Sequence, residues 1–250
     1  MKTARTIVIG ATVAALASPA FAQTPGWKDR FYVRGDVGAT FGSESTERDT
    51  NPNAPNFSLA TTQIRGSTDT GFLGDVGVGF RISPVFRVEA TYLRLASTTF
   101  QGTFVPGGGS ARATVSADIG MANAYIDLDT WTRPVLNRLD PMLGKLQPFL
   151  VGGLGATLNH NGDETDSAGG VTINHFAGAD HTDLAWSLGA GFGYPICDGV
   201  IVDVTYRYLD LGQRRTGTTL TALSGAKSTL TPDTADLQAH VLTLGVRWTF

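Results

Sequence analysis

The chain has 250 residues, enough for one generous domain and short for two. Only 16% of residues are charged, glycine occurs 31 times and mean hydropathy is +0.00, a balance that suits alternating strands better than a soluble α/β enzyme. The net charge of −3 offers nothing to nucleic acid, and the lone Cys197, with no Cys/His ligand spacing around it, excludes both an intramolecular disulfide and a cysteine metal centre.

The first segment reads as a secretory leader. Lys2 and Arg5 form a basic region, Ile7 to Ala17 an apolar one, and Ala20-Phe21-Ala22 a cleavage site before Gln23. The expected organisation is a removed signal peptide over 1–22, with cleavage between Ala22 and Gln23, and one mature domain over 23–250. Loss of Lys2 and Arg5 takes the formal charge to −3 − 2 = −5. The leader's apolar run is shorter than the ~20 residues that span a bilayer as a helix, and no longer run follows it.

Beyond Gln23 the dominant signal has a period of two, which places successive side chains on opposite faces of a strand. Phe31, Val33, Gly35, Val37, Ala39 and Phe41 oppose Tyr32, Arg34, Asp36, Gly38 and Thr40. The pattern returns in Phe72 to Ile82 and in Phe86 to Tyr92, where Val88 and Ala90 oppose Arg87 and Glu89. It returns again in Ala122 to Leu128, with Asn123, Tyr125 and Asp127 on the polar face. Phe149 to Leu158 is apolar on both faces and its orientation stays open. Leu184 to Tyr194, Val200 to Tyr208 and Leu242 to Phe250 complete eight strands, each near the ~9–11 residues a tilted membrane strand needs.

The connections alternate in length. Ser83-Pro84 and Cys197-Asp198-Gly199 are tight turns, whereas 43–69, 96–113, 160–182 and 213–235 are long and polar. Short turns at one end and long loops at the other match the periplasmic and extracellular ends of outer-membrane barrels. Trp131 to Leu146 breaks the rule, and Pro134-Val135-Leu136-Asn137-Arg138-Leu139 suggests a helical turn there.

Alternation also describes a soluble barrel, so orientation is argued separately. Gly38, Gly77, Gly79, Gly189, Gly191, Gly193 and Gly245 share the charged face. On an exposed surface they would only weaken the strands, whereas inside a narrow lumen they make room for long charged side chains. The expectation is a closed, antiparallel, eight-stranded, up-and-down transmembrane β-barrel with its apolar face in lipid. Its lumen is expected to hold an ion-pair network of Arg34, Asp36, Arg87, Glu89, Asp127, Asp203, Arg207 and Arg247. Aromatic residues at the strand ends, Phe31, Phe80, Phe86, Phe149, Tyr194, Trp248 and Phe250 on the short-turn side and Phe41, Phe72, Trp186 and Tyr208 on the other, read as two interfacial girdles.

The terminus Leu242-Thr243-Leu244-Gly245-Val246-Arg247-Trp248-Thr249-Phe250 resembles the last strand of outer-membrane barrels. Tyr206-Arg207-Tyr208-Leu209-Asp210-Leu211-Gly212 resembles the seventh strand of small opacity-protein-like and OmpA-like barrels, and Pro148 to Gly155 and Ala185 to Gly191 resemble the fifth and sixth. The resemblance implies a Gram-negative outer-membrane location in contact with bilayer and lipopolysaccharide, with Trp248 and Phe250 read by the assembly machinery. It implies a non-enzymatic surface protein, serving envelope integrity or adhesion through loops that meet host or surface ligands. No peptidoglycan-binding domain follows Phe250, so an OmpA-like wall tether is not expected.

Two other functions compete with this reading. A narrow porin-like channel needs free lumen, which charged side chains would fill. A lipid-modifying enzyme needs a nucleophile, a base and an acid together, yet His240 and Thr243 lie on opposite strand faces. His160, His175 and His181 accompany Asp163, Glu164, Asp166 and Asp180 in one segment without metal-binding spacing, which reads as a solvated acidic loop. No cofactor or metal is expected.

Overall fold

The computed structural model describes residues 30–42, 44–48, 63–105, 108–229 and 231–249. The leader, the Ala22/Gln23 cleavage pair and Phe250 lie outside the described residues. In chain order the strands are β1 (Phe31–Gly42), β2 (Glu44–Arg48), β3 (Gln63–Thr68), β4 (Gly71–Arg81), β5 (Phe86–Val105), β6 (Gly109–Asp127), β7 (Gln147–Asn161), β8 (Glu164–Ala168), β9 (Val171–Phe176), β10 (Ala179–Cys197), β11 (Val200–Arg215), β12 (Thr219–Ala222), β13 (Lys227–Thr229) and β14 (Thr234–Thr249). One helix, α1 (Asp129–Leu139), and a 3-10 turn at Leu143–Lys145 separate β6 from β7.

Eight strands close a ring. β1 pairs with β4, then β5, β6, β7, β10, β11 and β14 follow in turn, every pairing is antiparallel, and β14 returns to β1. The closing register sets Tyr32 opposite Thr249, Val37 opposite Leu244 and Gly42 opposite Ala239. Closure matters because an open edge in hydrocarbon leaves N–H and C=O groups unpaired at several kcal/mol each. Short connections gather at one end, among them the Asp198-Gly199 turn, where Gly199 takes φ 74°.

Orientation is settled by exposure. Val37 is 67% exposed, Val78 58% and Leu244 55%, while Glu89 and Arg207 are 4% and 5% exposed inside the ring. The outer surface between the girdles is therefore aliphatic and the interior polar. Gly79 and Gly245 sit beside the Tyr32 ring and the Asp36 carboxylate, and a Cβ at Gly191 would lie 2.6 Å from the Phe149 ring. Side chains at these positions would collide with the lumen's occupants.

Several expectations are corrected. Among their described residues, the four long connections are largely strand: β5 runs for 20 residues and β6 for 19, about nine more than a bilayer requires. β2 with β3, β8 with β9 and β12 with β13 add hairpins at the same end, so the ring continues above the membrane as an extracellular β-dome. The alternation inverts at the boundary. Below it Tyr92 faces out; above it Leu93 and Leu95 point in while Arg94 points out, and Leu209 and Leu211 flank Asp210 in the same way. Water replaces lipid outside, so the polar face turns outward and the apolar face inward. Leu73, Leu93, Leu95, Phe100, Val115, Ile119, Leu209, Leu211, Leu237 and Val241 thus form a dry core in the upper lumen.

β7 is resolved as well. Leu150, Leu154 and Leu158 face outward, and Phe149, Val151, Thr157 and Asn159 face inward. Phe149, expected in the girdle, is 1% exposed and packs 5.5 Å from Tyr125. The other described girdle positions bear aromatics on the outside: Phe31 packs at a tilt against Phe80 at 4.8 Å at the short-turn end, and Trp186 meets Tyr208 at 5.4 Å near the dome. The Trp131 to Leu146 connection holds nine of the eleven residues of the helix α1, which begins at Asp129, rather than a single turn.

A closed barrel of this kind resists detergent until heated. Samples in sodium dodecyl sulfate should migrate at two positions, boiled and unboiled, and a single unchanged band would exclude the closed ring.

Candidate functional site

Two places concentrate chemistry: the polar lower lumen and the outer face of the dome. In the lumen, strand parity sends Tyr32, Arg34 and Asp36 inward from β1, Asp75 from β4, Arg87 and Glu89 from β5, Tyr125 and Asp127 from β6, Asp203 and Arg207 from β11, and Arg247 from β14.

Glu89 is the hub. Its Oε2 accepts from Arg34 Nη1 at 3.1 Å and from the Tyr125 hydroxyl at 2.6 Å; its Oε1 accepts from the Tyr32 hydroxyl at 2.6 Å and from Arg87 Nη1 at 3.3 Å. Arg34 also pairs with Asp36, and Arg87 Nε donates to Asp127 at 2.9 Å. Arg207 enters through the Tyr125 hydroxyl at 2.6 Å. Arg247 binds Asp203 at 3.1 Å and lies 5.6 Å over the Tyr32 ring. The guanidinium of Arg87 sits 4.0 Å from the Tyr125 ring centroid and 4.7 Å from that of Phe149.

Five of the eight residues named from the sequence thus share direct ion pairs around Glu89, Arg207 joins by a tyrosine, and Arg247 with Asp203 forms a second pair. Sequence reasoning missed two members and gave no role to a third inward group beside them. Tyr32 and Tyr125 were placed on the inner face without a role, although a phenol on that face is the signal for a donor to carboxylate. Asp75 faces Asp36 across the β1–β4 pairing and is 4% exposed.

In the dome, β8 places Glu164 and Asp166 two residues apart on its inner face, 1% and 5% exposed, so half of the expected solvated acidic loop is buried. Arg214 Nη1 donates to Glu164 at 3.0 Å and to Asn161 at 3.1 Å, with its guanidinium 4.0 Å over Phe100. Burial first, and then the charge of Glu164, push the Asp166 carboxyl up to about 7 against a hydrogen bond from Asn174. The outer face is hydrophilic. Thr99, Gln101 and Thr103 of β5, Arg112 and Thr114 of β6, and Asp163 and Thr165 beside them line an open polar groove of about 610 Å³. His240, considered above as a base, faces outward, accepts from or donates to the Tyr206 hydroxyl at 2.7 Å, and lies on the opposite face from buried Thr243.

Comparison with known proteins agrees with this architecture. The model of the outer membrane protein β-barrel domain matches residues 8–250, and the chain belongs to that family. A protein of Rickettsia bellii named "Putative adhesin" is 25% identical over 97% of both chains, and one of Rickettsia massiliae with the same name is 22% identical over 97% of both. Among solved structures, the outer membrane protein OprG of Pseudomonas aeruginosa aligns at TM-score 0.53 and 16% identity over 89% of this chain and 96% of its own. The outer membrane protease OmpT of Escherichia coli aligns at 0.53 and 9% identity over 89% and 97%. The protein is a Gram-negative outer-membrane barrel, and the aliphatic belt of Val37, Val78 and Leu244 meets the lipid bilayer.

Two outcomes follow. Removing one partner of a buried ion pair leaves the others uncompensated, so Glu89→Ala should lower unfolding stability in lipid by about 3–5 kcal/mol; urea titration of the reconstituted protein measures it. Asp166 keeps its proton in the folded dome and loses it on unfolding near the ordinary carboxyl value of about 4. The contribution of Asp166 to dome stability is therefore full below about pH 4 and is lost as pH rises through about 7. Limited proteolysis of β8 and β9 should accelerate between pH 5 and pH 8, and Asp166→Asn should remove that dependence.

Proposed function

We propose that this barrel is a surface recognition protein whose working part is the extracellular dome. The observation that carries the proposal is the continuation of β5 and β6 well beyond the bilayer as a water-facing sheet with its own apolar core. A rigid sheet presents side chains at fixed spacing with little ordering entropy left to lose on binding, which suits adhesion. The naming of relatives as adhesins along nearly their full length supports the same reading.

The polar groove is the recognition face. Gln101, Arg112, Thr114 and Thr165 offer donors and acceptors suited to a hydroxyl-rich or anionic surface ligand. The lower lumen, filled by Arg34, Arg87, Arg247, Tyr125 and Phe149 beneath a dry aliphatic plug, supports a structural role for the interior rather than a wide conduit. The opposed faces of His240 and Thr243 support a non-enzymatic protein. Lipopolysaccharide would meet the outward rim of Arg94 and His160 above the girdle, and the assembly machinery would read the terminal strand, with Trp248 exposed at its short-turn end and Phe250 beyond the described residues.

The test displays the full chain on bacteria that do not adhere and measures attachment to cultured host cells. Gln101→Ala with Arg112→Ala should reduce attachment about tenfold, equivalent to about 1.4 kcal/mol, with unchanged surface amount and heat-dependent mobility. Undiminished attachment by the double variant would overturn the assignment of the groove, and large steady conductance steps in planar bilayers would favour a channel instead.

A further inference from the structure

The helix α1 fits neither the barrel wall nor the dome. It starts just after β6 ends and lies at the short-turn end, where outer-membrane barrels ordinarily place tight turns. Locally it is well built: Asp129 occupies the first turn and pairs with Arg133 at 2.7 Å four residues on, Thr132 donates to the Leu128 carbonyl at 3.1 Å, and the Asp140 N–H closes on Leu136. The turn at Leu143–Lys145 folds back so that Gly144 lies under the Asn137 side chain.

No residue of the helix is buried. Trp131, Val135 and Leu139, spaced by four, stack along one side at 58%, 59% and 72% exposure, and Met142 at 66% and Leu143 at 41% extend the apolar surface into the following turn. Thr130, Arg133 and Asn137 fall on the remaining arc, while Arg138, seven residues after Trp131, borders the stripe. A soluble domain would bury such a stripe. Here the helix follows directly on an apolar surface already assigned to lipid: Ile126 and Leu150, opposite one another on β6 and β7, face outward at the foot of the wall, with Ile126 three residues before the helix.

From this continuity we propose that α1 and the turn after it form an interfacial amphipathic anchor, resting on the periplasmic leaflet of the same bilayer with Trp131, Val135, Leu139, Met142 and Leu143 among the acyl chains. Its charge fits that occupant. Arg133, Arg138 and Lys145 outnumber Asp129 and Asp140, and long cationic side chains reach back to anionic headgroups while their stems lie on apolar surface. An indole at the helix start is suited to the headgroup level. The anchor gives the barrel a lateral foot on its β6–β7 side and fixes its tilt, while the short connections after β4 and β10 are tight turns.

The experiment uses the mature full chain carrying Cys197→Ser, reconstituted in vesicles of phosphatidylethanolamine with phosphatidylglycerol. Single nitroxide labels are placed at Val135→Cys, Leu139→Cys and, on the opposite side of the helix, Thr130→Cys. All three sites are exposed, and heat-dependent mobility verifies folding of each variant. Labels at 135 and 139 should collide several-fold more with oxygen, which concentrates in acyl chains, than with a water-soluble nickel chelate, and the label at 130 should show the reverse. Equal nickel access at all three sites would overturn the anchor. Protection at 135 and 139 that disappears as lipid is added at fixed protein amount would instead assign the stripe to contact between copies, and would equally overturn it.

Discussion

A bilayer offers no partner to an unpaired backbone N–H or carbonyl, and the pairing of β14 with β1 removes the last open edge. The remaining architecture follows from that closure. A ring of eight strands is too narrow to hold water freely, so whatever points inward must pack. Inward charges in such a space are tolerable only when paired, and the glycines at 79, 191 and 245 leave the room in which Tyr32, Phe149 and Asp36 lie. Glu89, held by two arginines and two tyrosine hydroxyls, joins three strands of the wall, β1, β5 and β6, from the inside.

The same strands then obey two solvents in succession. Within the bilayer the aliphatic side chains face out and the charges face in; above it, from Arg94 on β5 and Asp118 on β6, the order reverses. The lower lumen is stabilised by charge-assisted hydrogen bonds and the upper by burial of Leu93, Leu95, Ile119, Leu211 and Val241. This division explains how one continuous sheet can be membrane wall at one end and a rigid water-facing surface at the other. It also places the polar groove on the part of the molecule that does not depend on lipid for its stability.

Much of the wall was legible because period-two alternation is a local property. Phe31 to Phe41 and Val200 to Tyr208 declare their two faces without reference to any neighbour. The charged residues of the lumen could be named from parity alone, but their contacts could not, since which carboxylate meets which guanidinium depends on cross-strand register. Tyr125 shows this: its hydroxyl bridges Glu89 and Arg207 from strands far apart in sequence. β7 stayed ambiguous because Phe149, Val151 and Leu150 are all apolar, and only the ring's geometry decides that Phe149 packs edge-on against Tyr125. The dome was read as loop because Thr, Ser and Gly predominate in 96–113, although the inversion in Tyr92-Leu93-Arg94-Leu95 was a usable sign that the strand continues. The helix was compressed to a turn because Pro134, the sixth of the eleven residues of α1, is a residue that ordinarily interrupts a helix interior.

The central claim, that the aliphatic face meets acyl chains while the ionised groups are sealed inside, is tested most directly by solid-state NMR of the protein in phospholipid bilayers. Magnetisation started on lipid methylenes should reach Val37, Val78 and Leu244 and should bypass Arg34, Glu89 and Tyr125. Transfer from lipid to Glu89, or rapid exchange with bulk water at Val37 and Leu244, would contradict the account.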